Sequence, residues 1–597
     1  MPYEMVDSYE IIDSRISNST ERTSSTVSNE EYKNLYEKYL EMKKSGLSEL
    51  SFKDFIKTME DDVDRSDDLP NAELRKVSDT WMSDYEQFDD TLLNVNCYGT
   101  PDPDSEISCV PCGGCGALLH CRDPAIPGYL PSELFSSKTD EDLKSMPCQR
   151  CHFLRFYNTA LEVKVSIEDY PKLLSVIKSK KCAIILIIDL TDFPCSIWPD
   201  LKSILHPFTP IFLVGNKVDL LPTDSPSFLE NVKQCLLDSV IDVTGVKREN
   251  ITHVQLISAK TGYGIEHLIN KLQYKWRHKG DVYLVGCTNV GKSSLFNTLL
   301  NSDYCKVQAI DLVQRATVSA WPGTTLNLLK FPILNPTDAK RWLRTVRLVG
   351  ERKVAEKFER IIANVSRVHV GKSFTRKSLK DARADPFSEK SYKAMSKKPV
   401  LDESRPEYKQ SRWCYDTPGT IQTDQILNLL TTDELSLTLP QEIITPRTFM
   451  LKPKQTVFVA VYSSYVEDTC TLFASKHLPI TMCRTTDADE VYDRLLGTSA
   501  FLVPIDDSER LKVWPKLKSK EITEITGVNG EESVADVVLS SIGWIAITPM
   551  ENESVSLRAW TPEGRGIYLR RPALLKKSVN GKLELSSWFD YDKPFFA

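Results

Sequence analysis

Residues 281–294 read DVYLVGCTNVGKSS, and no other stretch constrains the fold as tightly. The apolar run Val282–Val285 leads into Gly286-Cys287-Thr288-Asn289-Val290-Gly291-Lys292-Ser293, which fits the template G-x-x-x-x-G-K-[ST], and the amphipathic run Leu295–Leu300 follows. Strand, loop and helix in that order predict an α/β unit with a phosphate loop. Gly286 and Gly291 let the backbone wrap a polyphosphate, so that N–H groups from Asn289, Val290 and Ser294 and the positive end of the helix face it. Lys292 reaches the outer phosphates, and Ser293 offers a hydroxyl to Mg²⁺.

At 597 residues the chain is too long for one core, and length alone suggests about three to five domains. A net charge of −7 and a pI near 5.8 give no global case for nucleic-acid binding, so any basic surface must be local. Of 15 cysteines, seven fall between Cys97 and Cys151. Clustering of that kind without a secretory leader favours metal over disulfides. The longest apolar run, Cys182–Ile188, is far too short for a membrane span and reads as a buried strand, so no transmembrane segment is expected. Met1–Asp13 carries Glu4, Asp7, Glu10 and Asp13, whereas a mitochondrial presequence is Arg-rich and poor in acids. Residues 1–95 read as an acidic, partly disordered extension, with a helical pattern over Glu30–Lys44.

Residues 96–160 hold the cysteine module. Cys112-Gly113-Gly114-Cys115 and Cys148-Gln149-Arg150-Cys151 are two C-x-x-C knuckles. Their four thiolates suit a structural tetrahedral Zn²⁺ with no open position. Cys97, Cys109, His120 and Cys121 are nearby alternatives, and the spacer between the knuckles exceeds the usual roughly fifteen to twenty residues.

From Cys182 onward, buried strands alternate with amphipathic helices. Ile211–Val214 ends in Gly215-Asn216-Lys217-Val218-Asp219, an N-K-x-D element. Asp219 can accept both the ring N–H and the exocyclic amine of guanine while the Lys217 stem covers the base; adenine offers no such pair of donors and leaves a buried carboxylate unpaired. Val254–Ile257 ends in Ser258-Ala259-Lys260, an S-A-K element whose Ala259 amide is expected to meet the guanine oxygen. Downstream of the phosphate loop, Trp321-Pro322-Gly323-Thr324-Thr325 supplies a threonine for the metal shell, with Thr325 the choice. Asp416-Thr417-Pro418-Gly419 supplies D-x-x-G: Asp416 bonds Mg²⁺ through water, and the Gly419 amide meets the terminal phosphate.

Five guanine-nucleotide motifs are therefore present but rotated, with the base readers first. The arrangement resembles the circularly permuted GTPases. With VGCTNVGKS, PGTTL, DTPG, CGGCG and CQRC, it is similar to the YqeH and nitric-oxide-associated family from about Cys112 to the C-terminus. That resemblance implies a GTPase of ribosome assembly that binds GTP, GDP and Mg²⁺. It implies contact with ribosomal RNA or the small ribosomal subunit in a mitochondrion or plastid, with the cytoplasm as the fallback given Met1–Asp13. It also implies a circularly permuted P-loop domain over 161–432 and a mostly β, RNA-binding C-terminal domain over 433–597. Asn289 matches the asparagine that helps bind K⁺ in potassium-activated relatives. Thr420 and Ile421 stand where many GTPases keep a glutamine, which predicts slow intrinsic turnover raised by a cation or partner.

The C-terminal region reads as strands over Thr456–Tyr462, Ala500–Val503, Val534–Leu539, Gly543–Thr548, Ser554–Thr561 and Gly566–Arg571, with Arg565, Arg570, Arg571, Lys576 and Lys577 forming a basic end. Between the two switch motifs lies an insertion, 335–412. From Lys340 to Arg412 it carries 21 Lys/Arg against 9 Asp/Glu, a density suited to phosphate backbones or to a solvated loop. Two other functional classes remain open at this stage: an RNA-binding scaffold that uses GTP as a structural ligand, and a redox enzyme, for which the sequence shows no haem, flavin or nicotinamide signature.

Overall fold

A computed structural model of the chain describes residues 100–577, apart from 157–173, 351–400 and short breaks of at most three residues. All of these belong to one compact unit, Thr80–Ala597. The expectations for 1–95, and for most of the basic insertion, fall outside the described residues.

The first sheet has six strands: β1 (Cys182–Asp189), β2 (Ile211–Asn216), β3 (Ile251–Leu256), β4 (Asp281–Val285), β5 (Leu329–Pro332) and β6 (Trp413–Asp416). Their spatial order is β3-β2-β1-β4-β6-β5, with every pairing parallel except β5 against β6. β1 is buried at all eight positions. A strand covered on both faces reads as a continuous apolar run, which is why CAIILIID and its neighbours stand out in the sequence. Helices α1 (Phe228–Thr244), α2 (Ile265–Lys271) and α3 (Lys292–Leu300) follow β2, β3 and β4. α1 stops at Gly245, whose left-handed φ of 62° is a conformation that favours glycine. Residues 338–350 of the insertion form a helix. Its Arg344 is buried and pairs with Glu266 and Asp303, so part of the insertion's positive charge is spent inside the protein.

Ten further strands form two antiparallel sheets. One is β16-β13-β14-β10-β7, built from β7 (Arg447–Met450), β10 (Thr469–Ala474), β13 (Ala535–Leu539), β14 (Gly543–Thr548) and β16 (Ile567–Arg570). The other is β11-β8-β9-β15-β12, built from β8 (Gln455–Val459), β9 (Tyr462–Tyr465), β11 (Ile480–Arg484), β12 (Leu517–Thr526) and β15 (Ser554–Pro562). Ala500–Val503, expected as a strand, is turn and bend instead. Phe501 and Val503 are buried there, so the apolar run marks burial without strand pairing.

Alternation along the first of these sheets decides how the molecule is joined. Val537, Ile545, Leu472 and Ile547 face the core of the C-terminal region. Their neighbours Val538, Trp544, Ala546 and Phe473 belong to the core of the six-stranded sheet, where Phe473 and Trp544 stack at 4.8 Å. A sheet apolar on both faces is a layer shared by two cores.

Polar groups pin the same joint. Arg570, grouped in sequence with the basic end, is 3% exposed, donates to both Asp536 Oδ2 and the Phe193 carbonyl, and is therefore a structural residue, not part of a basic surface. Asp192 accepts from the Ser541 amide at 2.7 Å and from Gln425 Nε2 at 2.9 Å. Burial, reinforced by Asp189, pushes the Asp192 carboxyl from its ordinary 3.8 up to about 6. The folded state thus holds this proton more tightly than the unfolded chain does. The stability Asp192 contributes is complete below about pH 4 and falls by about 3 kcal/mol as pH rises through about 6. Asp192→Asn keeps an acceptor for Ser541, and its amide can donate to the otherwise unpartnered Gln425 Oε1. The expected outcome is equal or higher unfolding stability at pH 7.5 and a weaker decline between pH 4.5 and 6.5, read by urea titration at both ends of that range.

Candidate functional site

The loop after β4 takes its shape from its two glycines. At Gly286 (φ 156°) a Cβ would sit 2.3 Å from the Ile187 carbonyl oxygen, and at Gly291 (φ 93°) 2.2 Å from Asn216 Nδ2. Both positions require glycine. Gly291 caps α3, and the next residue, Lys292, turns its ammonium back to donate to the Cys287 carbonyl at 2.6 Å. Burial lowers the Lys292 pKa to about 8 against the pull of Asp416. Gly419 lies against this group: a Cβ there would come within 2.9 Å of Lys292 Nζ. Thr420 anchors the D-x-x-G segment, exchanging backbone hydrogen bonds with Gly286 and Thr288 and donating its hydroxyl to Cys287 Sγ.

Three oxygens from distant segments converge beside Lys292. Ser293 Oγ donates to Asp416 Oδ2 at 2.7 Å and lies 3.0 Å from Thr325 Oγ1. The two candidate threonines part company here, because Thr324 Oγ1 turns back to the Trp321 carbonyl. Asp416 is fully buried, burial pushes its carboxyl up to about 6, and its Oδ1 has no hydrogen-bond partner among the described residues. Two hydroxyls and a carboxylate with a spare oxygen fit a hard divalent cation such as Mg²⁺.

Asn216 closes β2. Its Nδ2 donates to the Val290 carbonyl at 2.8 Å and its Oδ1 accepts from the Ala259 amide at 2.9 Å, so one buried side chain ties the N-K-x-D, S-A-K and phosphate-loop segments together. The Ala259 amide, expected to face a base oxygen, is engaged by Asn216 in this structure. Lys217 adopts a left-handed φ of 68° and its ammonium meets Asp189 at 2.5 Å. Ser258 accepts from the Thr261 amide and fixes the turn.

These elements wall one cleft of about 470 Å³. Its lining includes Asn216, Lys217, Asp219, Ala259 and Lys260 from the N-K-x-D and S-A-K segments, and Asn289, Gly291, Lys292, Ser293, Ser294, Thr325 and Gly419 from the phosphate-loop and switch segments. Gly286, Val290, Ser258 and Asp416 lie beneath the surface and support it. One further wall carries no motif: Leu435, inside helix α4 (Thr432–Thr438), and Leu439–Gln441 just beyond it, where the Gln441 carbonyl accepts from Lys260 Nζ at 3.0 Å.

The cysteine module is a second site. The sulfurs of Cys112, Cys115, Cys148 and Cys151 lie within 4.8 Å of one another, with Cys112 to Cys151 at 3.8 Å and Cys115 to Cys148 at 3.7 Å. Sulfurs about 2.3 Å from a tetrahedral ion stand about 3.8 Å apart, so the donor set fits Zn²⁺. The amides of Gly114 and Cys148 donate to Cys112 Sγ, which favours a thiolate there. Hydrogen bonds from the other sulfurs, Cys115 first, hold the Cys112 pKa low. Cys109 is exposed, and Cys121 donates to Ser105 instead. No helix among the described residues is long and apolar enough to cross a membrane.

Residues 281–371 match the family described as 50S ribosome-binding GTPase, and residues 467–573 match the YqeH-like C-terminal family. Human nitric oxide-associated protein 1 is 37% identical over 542 residues, covering 81% of this chain and 77% of its own. YqeH of Bacillus subtilis is 24% identical over 467 residues, covering 77% of this chain and 98% of its own. The NO-associated protein 1 of Arabidopsis thaliana, named as chloroplastic/mitochondrial, is 24% identical over 482 residues, covering 75% and 71%.

The sulfur geometry predicts one Zn²⁺ per chain by metal analysis. Cys148→Ser is expected to reduce it several-fold and to lower the unfolding midpoint, because a structural zinc supplies on the order of 10 kcal/mol.

Proposed function

The chain belongs to the nitric oxide-associated protein 1 and YqeH family of GTPases, and from that premise we propose that it is a GTP-hydrolysing switch of ribosome assembly. The observation that carries this reading is that Asp219 and Lys292 wall the same cleft, with the Ser293, Thr325 and Asp416 oxygens gathered at its phosphate end. In the proposed complex the Asp219 carboxylate takes the two guanine donors and the Lys217 stem covers the ring. Either the Ala259 amide leaves Asn216 for the guanine oxygen, or the neighbouring Lys260 amide serves. The phosphate loop and Lys292 bind the polyphosphate. Ser293, Thr325 and, through water, Asp416 would hold Mg²⁺, and the Gly419 amide would meet the terminal phosphate. Mg²⁺ there would neutralise phosphate charge, and Zn²⁺ on the four cysteines would supply folding energy.

The order of the motifs supports a circularly permuted domain. The phosphate-loop strand β4 is fourth in the chain yet central in the sheet, between β1 and β6, an order compatible with the usual constellation built from a rotated sequence. Intrinsic turnover is proposed to be slow, since Thr420 is buried on Cys287 where a water-orienting glutamine often stands. Asn289, left-handed at φ 59° on the cleft wall, is the proposed K⁺ ligand. The partner is proposed to be ribosomal RNA in the small subunit of an organelle. The family name on 281–371 refers to the large subunit, so cosedimentation with separated subunits in GTP and in GDP decides between them.

Asp219→Asn is expected to weaken GTP binding by about 100-fold or more, since it replaces an acceptor facing two donors, and to raise affinity for xanthosine triphosphate. Retained GTP preference would overturn the base assignment. Turnover is expected to be several-fold faster in K⁺ than in Na⁺. Equal rates would remove Asn289 from that role, and single-turnover rates near zero with and without subunits would favour a scaffold that only binds GTP.

A further inference from the structure

The segment carrying Thr325 is tied to helix α3 at Ala316, through Asn297, and from Thr317 to Asn327 it is gripped by the cysteine module. The Thr317 amide donates to the Gly114 carbonyl at 2.9 Å, and the Leu326 and Asn327 amides donate to the Cys115 carbonyl at 2.8 and 3.1 Å. The approach is close enough that a Cβ on Gly114 would come within 2.4 Å of Thr317 Oγ1 and 2.9 Å of Cys151 Sγ. Gln314 Nε2 donates to the Lys144 carbonyl, and Leu326 packs on the apolar shell around the four cysteines.

Arg150 sits at the centre of this contact. It lies in the helix Gln149–Phe156, between Cys148 and Cys151, and is 3% exposed. Its guanidinium donates Nη2 to the Gly323 carbonyl at 2.7 Å and Nη1 to the Thr324 carbonyl at 3.3 Å. Two successive carbonyls gripped by one planar fork fix the peptide planes on both sides of Thr324. The next side chain, Thr325, is the one that meets Ser293.

We propose that Arg150 is a positioning residue for hydrolysis: anchored between two cysteines of the metal-binding set, it holds the Gly323 and Thr324 carbonyls and so sets Thr325 opposite Ser293. This rests on the reading of Thr325 as a Mg²⁺ ligand of the GTP state. It makes the cysteine module part of the switch, because the orientation of Thr325 then depends on the knuckle that orients Arg150. Without the fork the loop remains attached at Thr317 and Leu326, but Thr325 no longer has one preferred orientation.

The test uses full-length Arg150→Ala and Arg150→Lys, with kcat, KM for GTP, the Mg²⁺ dependence of kcat, GDP affinity and zinc content measured on each. Arg150→Ala is expected to lower kcat about 10- to 100-fold and to raise the Mg²⁺ requirement, with GDP affinity and zinc content within about twofold of wild type. Arg150→Lys, which keeps the charge but not the fork, is expected to fall between. Wild-type kcat and Mg²⁺ dependence in Arg150→Ala would overturn the proposal. So would a parallel loss of zinc, GDP affinity and kcat, which is the mark of a purely structural residue. If Arg150→Ala does not fold, Arg150→Lys decides by the same readouts. Thr325→Ala, run alongside, separates the two layers. If it leaves kcat unchanged, the reading of Thr325 fails and the positioning role with it; a slow Thr325→Ala beside a fast Arg150→Ala overturns the positioning role alone.

Discussion

The buried amide of Asn216 holds the nucleotide-motif segments in register. It donates to Val290 in the phosphate loop and accepts from Ala259 in the S-A-K turn, while its own backbone ends β2. Each bond contributes about 1 kcal/mol, but losing the side chain strands the buried Val290 carbonyl, at about 1–3 kcal/mol, and leaves the half-buried Ala259 amide to the cleft. Gly291 has to be glycine partly because Asn216 Nδ2 occupies the space a Cβ would take. The two ends of the cleft are thus spaced by one side chain, and a ligand long enough to touch both must match that spacing.

A second constraint is the layer made by β13, β14 and β10. Because this sheet is apolar on both faces, the C-terminal strands share a core with the six-stranded sheet and do not hang from a linker. Movement after the D-x-x-G segment therefore has a defined route. Gln425, nine residues beyond Asp416, donates to Asp192, and Asp192 also accepts from Ser541 at the β13–β14 turn. The 416–425 segment therefore meets the C-terminal layer at two polar contacts, through the buried Asp192 carboxylate and through Asp424, which accepts from the Tyr568 hydroxyl.

The legible parts of the sequence were those where one physical requirement dominates. β1, β2 and β4 stood out because strands covered on both faces tolerate little but apolar side chains. The motif residues stood out because phosphate, guanine and thiolate geometry each allow few residue types, and the cysteine quartet emerged from its alternatives for the same reason. Charge alone misled: Arg570 looked like part of a basic surface, and only its partners Asp536 and Phe193 make it internal. Ala500–Val503 misled because burial and strand pairing leave the same apolar signature. Leu439-Pro440-Gln441 was invisible as a cleft wall, since its role comes from position alone.

Those three residues also change what kind of cleft this is. Its phosphate end is bounded by a loop that the cysteine module grips, and its base end by a segment pinned at both sides. Lys260 reaches the Gln441 carbonyl, and the Ile444 amide bonds the Leu220 carbonyl one residue past Asp219. α4, just upstream, is fastened in turn by Glu434, which is fully buried and accepts from Arg510 and the Ile505 amide of the C-terminal region. A nucleotide lying between Asp219 and Lys292 would be enclosed by segments belonging to three separately stabilised parts of the chain. Opening the base end would require the 435–444 segment to let go of Lys260 or Leu220, and that segment answers to the C-terminal sheets through Glu434. Linkage then sets the condition for coupling: a ligand that favoured one arrangement of this wall would be favoured by it equally.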